Sequence, residues 1–236
     1  MQENETPMTS SIESVLVLSG GMDSTVLLYD LMAKKRQTAA ISFDYGSRHN
    51  HRELPMAAAT CEKLGVIHRI IRLPFIGELF SSALLKTGPP IPEGSYDTAN
   101  LSQTVVPFRN PILMSIAVGY AASIGAKEVL LASHSGDHAL YPDCRKTFNE
   151  AFDQAVRLGT DNAVHLSFPY AGLDKGQIAE IGRRLGVDFT LTWTCYKGGN
   201  RHCGRCSACV ERSQALKRSE GLDPTLYEDQ GEHHGR

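Results

Sequence analysis

A doubly wound α/β fold on a mostly parallel, five-stranded sheet is the architecture this sequence predicts, and three observations predict it. Short apolar runs alternate with segments of helical periodicity along most of the chain. The first such junction is a buried strand, Val15-Leu16-Val17-Leu18, that ends in a glycine turn and opens a helix at Thr25 to Leu31. The polar clusters follow the predicted strand ends, where a sheet of this kind gathers its ligand site. The 236 residues, 42% of them apolar, suffice for one such domain with a small appendage.

The elements follow in order. Thr38 to Phe43 reads as a second strand. Glu53 to Leu64 reads as a helix with Gly65 at its C′ position. His68 to Leu73 is a third strand. Residues 74–103 hold Pro74, Gly88, Pro89, Pro90, Pro92 and Gly94, with a short helical piece near Gly77 to Leu85. That length suggests a lid or substrate loop. Asn110 to Ile124 is a small-residue helix with Pro111 in its first turn. Glu128 to Leu131 is the fourth strand, Cys144 to Leu158 a helix, and Val164 to Phe168 the fifth strand. Asp174 to Leu185 is a helix with Asp174 as its N-cap.

Charge and composition exclude several classes. Net charge is −2 and no long basic run occurs, so nucleic acid is not the expected substrate. No run of about 18 apolar residues is present, so no membrane span is expected. Residues 1–11 are polar and do not fit a signal peptide. A cytoplasmic location is expected, in which the six cysteines are ligands, catalytic groups or core residues and not disulfides.

The Ser19-Gly20-Gly21-Met22-Asp23-Ser24 loop carries the first chemistry. Adjacent glycines let backbone N–H groups converge on an anion, and the helix N-terminus adds partial positive charge. Ser19 and Ser24 can donate hydroxyl hydrogens to phosphate oxygens. Asp23 would repel a phosphate unless Mg²⁺ lies between them. The G-x-x-x-x-G-K-[ST] pattern is absent. The six residues instead resemble the S-G-G-x-D-S loop of the ATP pyrophosphatases, the PP-loop enzymes, which split ATP between its α and β phosphates. An ordinary strand-to-helix turn is the plain alternative.

Cys195, Cys203, Cys206 and Cys209 read C-x₇-C-x₂-C-x₂-C. Four thiolates this close suit a closed, structural Zn²⁺ site, with Gly198, Gly199 and Gly204 letting the backbone wrap the ion. An iron–sulfur cluster is the competing metal reading. Cys61 lies in an apolar helical pattern and reads as core.

Other polar clusters are candidates for the substrate side. Arg109 and Asn110 open a helix and can hold phosphate or carboxylate, or simply cap it. The loop Ser133 to Arg145 packs His134, Asp137, His138, Tyr141, Asp143 and Arg145 together. Asp137 and Asp143 can accept donors of a purine-like base, and Arg145 can hold a carboxylate. The alternative for Asp143 is the N-cap of the next helix. Phe43 to His49 follows the second strand, with Arg48 and His49 as phosphate or acid–base candidates. Lys175 opens a helix where lysine does not help stability, which points to function.

Together, S-G-G-M-D-S (19–24), F-D-Y-G-S-R-H (43–49), V-P-F-R-N (106–110), Y-P-D-C-R (141–145), L-D-K-G-Q-I (173–178), T-W-T-C-Y (192–196) and C-G-R-C-S-A-C (203–209) resemble the 7-cyano-7-deazaguanine synthases (QueC) of the queuosine pathway. They span nearly the whole chain in that family's order. Ser47 stands where glutamine is common, and S-H-S-G-D-H-A-L precedes Tyr141 where many members carry E-x-D-x-x-G. The resemblance implies an adenine nucleotide α-hydrolase (HUP-like) domain over residues 12–190, a zinc-binding module over 191–220, and polar tails at 1–11 and 221–236. It implies that 7-carboxy-7-deazaguanine, ATP and ammonia give 7-cyano-7-deazaguanine through adenylated carboxylate and amide, in a homodimer with no nucleic-acid or membrane partner. The cofactors are then ATP, Mg²⁺ and one structural Zn²⁺ per chain. Leu18, Ser19, Gly20, Gly21, Met22, Asp23, Ser24, Thr25, Val26, Leu27, Leu28, Phe43 and Arg48 are the expected nucleotide-binding residues. Asp23, Ser24, Lys175, Arg109 and His49 are the catalytic candidates. Arg109, Asn110, Asp137, Tyr141, Asp143 and Arg145 are the substrate candidates, and Cys195, Cys203, Cys206 and Cys209 the metal ligands. The rivals are a deazaguanine-activating ligase that stops at the amide or conjugates the base, a tRNA-thiolating relative that would need a cysteine such as Cys144, and a zinc-bearing nucleotide-binding module without turnover.

Overall fold

The computed structural model describes residues 11–94, 102–137, 141–218 and 221–228. His138, part of the proposed lid loop, residues 1–10 and residues 229–236 lie outside them. Five parallel strands form one sheet in the order β3-β2-β1-β4-β5. They are β1 Ser14–Val17, β2 Thr38–Asp44, β3 His68–Arg72, β4 Glu128–Leu130 and β5 His165–Ser167. The chain winds outward from β1 to β3, then returns to the other side of β1 for β4 and β5. Strand order therefore reverses between β1 and β4, and a crevice opens beyond their C-terminal ends.

Alternation along β1 sets the two layers. Val15 joins one buried cluster with Ile41, Met114 and Val129. Leu16 joins the other, with Ala40, Val26, Leu27 and Ile178. Helices α1 (Met22–Ala33), α2 (Asn50–Leu64) and α6 (Lys175–Arg184) contribute to the second cluster. Helices α4 (Arg109–Ser123) and α5 (Lys146–Gly159) contribute to the first, and the short α3 (Pro74–Leu79) follows β3. Helix α6 is capped as its sequence predicts: the Asp174 side chain accepts from Gln177 N, and the Gln177 side chain accepts from Asp174 N. Gly65 ends α2 with φ +66°, as expected of a C′ glycine.

Several elements differ from the sequence expectation: α1 starts at Met22, not Thr25, and α3 runs over Pro74–Leu79, not Gly77 to Leu85. Helix α2 starts at Asn50, not Glu53, and carries Pro55 on its exposed side. Proline reads as a first-turn residue, so the preceding turn was not legible. Residues Pro142–Cys144 form a 3₁₀ turn, and α5 starts only at Lys146 with Arg145 at its N-cap. Asp143 is thus not that helix's cap; its carboxylate accepts from Asn110 N. Helix α7, Ser207–Arg218, was not expected, because it begins inside the cysteine cluster. Among the described residues no helix is long and apolar enough to cross a membrane.

Helix α7 is tied down by Arg212, which is 1% exposed. Its guanidinium donates to Thr225 Oγ1 (2.8 Å), Thr192 Oγ1 (2.8 Å), Thr194 Oγ1 (3.0 Å) and Phe189 O (2.7 Å). Arg212→Ala leaves those acceptors unpaired and should cost about 2–4 kcal/mol. Arg212→Lys should recover little, since one ammonium cannot span four acceptors. Urea unfolding of both variants checks this; a loss under about 1 kcal/mol in the alanine variant contradicts the assigned role.

Candidate active site

The crevice at the β1–β4 switch is walled by every strand-end cluster the sequence singled out. Ser19, Gly21, Asp23 and Ser24 follow β1, Tyr45 and His49 follow β2, His134 and Asp137 follow β4, and Lys175 follows β5. Helix α4 adds Arg109 and Asn110, and the segment before the cysteines adds Trp193, Thr194 and Tyr196.

The loop after β1 is folded on itself. Gly21 N donates to Ser19 Oγ (3.1 Å), Ser19 N donates to Ser24 Oγ (3.2 Å), and the two hydroxyls lie 3.0 Å apart. Helix α1 has no side-chain cap, so its first N–H groups and its dipole face the crevice. Gly20 makes this turn possible. Its φ is +87°, and a Cβ there would come 2.2 Å from Glu53 O on α2. That bare, uncapped cradle fits a polyphosphate.

An ionic cluster borders the cradle. Lys175 Nζ lies 2.7 Å from Glu211 Oε2 and 3.4 Å from Asp23 Oδ2. Burial opposes the charge of Lys175, but Asp23, Glu211 and Asp137 outweigh it and raise its pKa above the ordinary lysine value. Asp23 Oδ1 is buried without a hydrogen-bond partner among the described residues, the kind of oxygen a hard cation takes. His134 Nδ1 accepts from Gly136 N, so its Nε2 carries the proton. That nitrogen faces Asp137, Glu211 and Asp23 at 3.6, 3.9 and 4.0 Å.

A second cluster occupies the α4 side. Arg109 stacks 5.7 Å from the Tyr45 ring centroid, donates to Tyr45 OH (3.2 Å) and donates twice to Asn110 Oδ1 (3.2 and 3.0 Å). Asn110 N donates to Asp143 Oδ2 (3.1 Å), and Asn110 Nδ2 donates to Cys144 Sγ (3.1 Å). Phe108 precedes this pair in the left-handed region (φ +54°), a strain that aims the first turn of α4 at the crevice. Thr104 and Tyr141 hydroxyls meet at 3.3 Å. Burial, with Asp137 and Asp143 nearby, pushes the Cys144 thiol well up, so it is no nucleophile.

Between the clusters sit His49 and Glu53, one turn apart on α2, with Nε2 and Oε2 at 3.5 Å. Burial, helped by Arg109, holds His49 down to about 3, so it stays neutral and is not the ordinary acid–base histidine the sequence suggested. Burial pushes Glu53 up to about 8.

Not every expected residue reaches the crevice. Thr25, Val26, Leu27 and Leu28 are buried and outside the crevice lining, the last three in the core cluster against α6. Arg48 turns to the loop at 83–89, donating to the carbonyls of Ala83, Gly88 and Pro89. Arg145 is exposed and outside the crevice lining, because the 3₁₀ turn carries it outward. Leu18, Ser19, Gly21, Met22, Asp23, Ser24, Phe43, His49, Arg109, Asn110, Asp137, Tyr141, Asp143 and Lys175 are all in the lining. Sequence reasoning missed Glu211, Glu53 and Tyr45. Only the helical spacing of Ala208, Arg212, Ala215 and Leu216 could have signalled that α7 brings Glu211 inward.

The cysteine site lies beside the crevice. Cys195, Cys203, Cys206 and Cys209 are buried with their sulfurs all within 4.8 Å of one another. Cys203 and Cys209 sulfurs are 3.9 Å apart. A tetrahedral single ion bonded at about 2.3 Å needs sulfurs about 3.8 Å apart, so the set fits one ion. Backbone N–H groups of Cys203, Arg205 and Cys206 point at ligand sulfurs at 3.2–3.4 Å and favour thiolates. Trp193 N donates to Gly20 O (2.9 Å), joining this module to the phosphate cradle.

The raised pKa of Glu53 makes a stability prediction. Its folded value lies above its unfolded one, so the folded chain keeps a proton that the unfolded chain releases. This contribution is complete below about 4.5 and is lost as pH rises to about 8. Over that window it amounts to at most about 1.4 kcal/mol per pH unit. Glu53→Gln should match the wild type in stability near the acid end and exceed it at the alkaline end. Urea unfolding across the window checks this; parallel curves for the two proteins contradict it.

Comparison with known proteins places this geometry. The family model described as "Queuosine biosynthesis protein QueC" matches residues 13–220. A 7-cyano-7-deazaguanine synthase of Desulfotalea psychrophila is 58% identical over 92% of this chain and 99% of that protein. One from Porphyromonas gingivalis is 51% identical over 92% and 97%. An NMN synthetase structure from Francisella tularensis shares the fold at TM-score 0.52 and 16% identity, over 92% of this chain and 90% of that one. At 58% identity to a full-length relative, with the family model matching 13–220, this chain belongs to the QueC family of queuosine biosynthesis proteins.

Proposed function

We propose that this chain is an ATP-dependent ligase that converts 7-carboxy-7-deazaguanine and ammonia to 7-cyano-7-deazaguanine in queuosine biosynthesis. The observation that carries the reading is one crevice holding an open phosphate cradle and, opposite it, the Arg109–Asn110–Asp143 cluster. A carboxylate oxygen attacks the α-phosphorus of ATP, and the bond to pyrophosphate breaks. Ammonia displaces AMP and gives the amide. The amide oxygen is activated by a second ATP, and loss of AMP with the nitrogen's protons leaves the nitrile. Both activations turn a poor oxygen leaving group into AMP.

The residues divide accordingly. Ser19, Gly21, Ser24 and the α1 N-terminus hold the pyrophosphate, and Lys175 offsets its charge. Asp23 is suited to Mg²⁺, which when bound would neutralise the leaving pyrophosphate. Arg109 suits the substrate carboxylate, and Asp137 and Asp143 suit the deazaguanine edge. We assign Zn²⁺ to Cys195, Cys203, Cys206 and Cys209, because a cluster of several irons needs its sulfurs wider apart than these lie. We take 12–190 as the PP-loop domain, 191–220 as the zinc module, the homodimer as the family's state, and the cytoplasm as the compartment, since it keeps thiolates reduced.

The test incubates the chain with the acid, ATP and ammonium and follows AMP together with product mass. Nitrile and one AMP for each activation are expected. Product that stops at the amide favours the rival ligase, and ATP binding without AMP release favours the binding module. Asp23→Ala should abolish AMP release in a folded protein; near-normal turnover refutes its role.

Elemental analysis should give zinc near one per chain and little iron. Cys206→Ser should lose the zinc and lower the unfolding temperature, because structural zinc contributes directly to folding. Unchanged melting in a metal-free protein refutes the assignment.

A further inference from the structure

The carboxylates of the crevice are unequally countered. Asp23 and Glu211 face Lys175, Asp137 accepts from His134 N, and Asp143 accepts from Asn110 N. Glu53 is different. Its side chain is only 13% exposed, and its sole ion-pair partner among the described residues is His49. That histidine is held neutral by burial, so it supplies no charge. A mostly buried carboxylate with no lysine or arginine within ion-pairing distance among the described residues is costly, and Arg109, acting from farther off, offsets only part of that cost, so a cation brought to Glu53 would be held there. The backbone of Glu53 rests against Gly20, which puts the residue next to the phosphate cradle.

We propose that Glu53 receives the incoming ammonium ion and takes a proton from it, so that neutral ammonia attacks the activated carboxyl carbon. This rests on the functional reading above and adds the base which that reaction needs. An arriving cation favours the ionised form of Glu53, whose own proton leaves to water, and that carboxylate then becomes a carboxylic acid as ammonium becomes ammonia. The nitrogen lone pair forms the C–N bond, the C–O bond to AMP breaks with its electron pair on AMP, and the second nitrogen-borne proton passes to water to leave the amide. Between turnovers Glu53 returns its proton to water. Burial holds Glu53 at about 8, near the range of amines, which keeps the transfer close to balanced. The titratable and charged groups around it are His49 on its own helix, Tyr45 after β2, Arg109 from α4, and Tyr196, which packs 5.6 Å from the His49 ring.

Hydroxylamine separates this role from a structural one, because it is uncharged at neutral pH and needs no base before attack. The test compares amide formation from ammonium chloride with hydroxamate formation from hydroxylamine, each with the acid and ATP on the full chain. Glu53→Gln should lower the amide-to-hydroxamate ratio by roughly tenfold or more, and the deficit should shrink as pH rises and free ammonia accumulates. Glu53→Asp, which keeps a carboxylate, should restore part of the ratio. An equal fall for both nucleophiles overturns the assignment. So does an unchanged ratio with a raised KM for the acid, which would give Glu53 to base recognition instead. Wild-type chain that turns over with neither nucleophile would overturn the functional reading, and Glu53 with it.

Discussion

Three parts of the molecule meet at one position that has no room for a side chain. Gly20 turns the chain from β1 into α1 with positive φ, and a Cβ there would strike the carbonyl of Glu53 and approach Ala57 N. Its own carbonyl accepts from Trp193 N. The phosphate cradle, the helix bearing His49 and Glu53, and the segment leading into the cysteines are therefore fixed relative to one another by backbone contact. Backbone contact is stiff where side-chain contact can yield. Catalysis by positioning needs that stiffness, because small displacements of reacting groups are expensive.

Around this junction the charges are sorted. Lys175 is shared by Asp23 and Glu211 at one end of the crevice, and Arg109 is held by Tyr45 and Asn110 at the other. Each cation is oriented by at least one neighbour from another element, so neither must be ordered when ligand arrives. His49 is neutral and Cys144 protonated, which leaves Glu53 as the middle group whose charge can change near neutral pH.

Local patterns in the sequence carried most of the fold and much of the site. The five strands and the alternation of strand and helix were legible because a parallel sheet needs continuous apolar runs, and the Asp174 cap because capping is a local exchange of hydrogen bonds. Ser19 to Ser24 and the four cysteines were legible because both are short backbone-built sites. Side-chain direction was not. Arg48 and Arg145 sit in the right segments but turn to loop carbonyls and to the surface, which depends on turn geometry no spacing encodes. Glu53 and Glu211 were missed for the converse reason. Each looks like a solvated helix charge until tertiary packing brings its helix over the crevice.

The cysteine module has a mechanical part in this arrangement. Residues 188–206 contain only one short 3₁₀ turn, Phe189–Leu191, yet they supply Trp193, Thr194 and Tyr196 to the crevice wall. Such a segment has no ladder or helix to hold it. Arg212 grips it from below through Phe189, Thr192 and Thr194, and the cysteine cluster grips it at Cys195. The Trp193 ring is further clamped between Arg52, 5.3 Å from its centroid, and His202, 4.2 Å away. Three anchors on one irregular strap replace the order that secondary structure would give. A bound ion at the cysteines would then shape the wall of the crevice without touching the reaction, since rigidity at Cys195 is transmitted two residues to Trp193 and from there to Gly20.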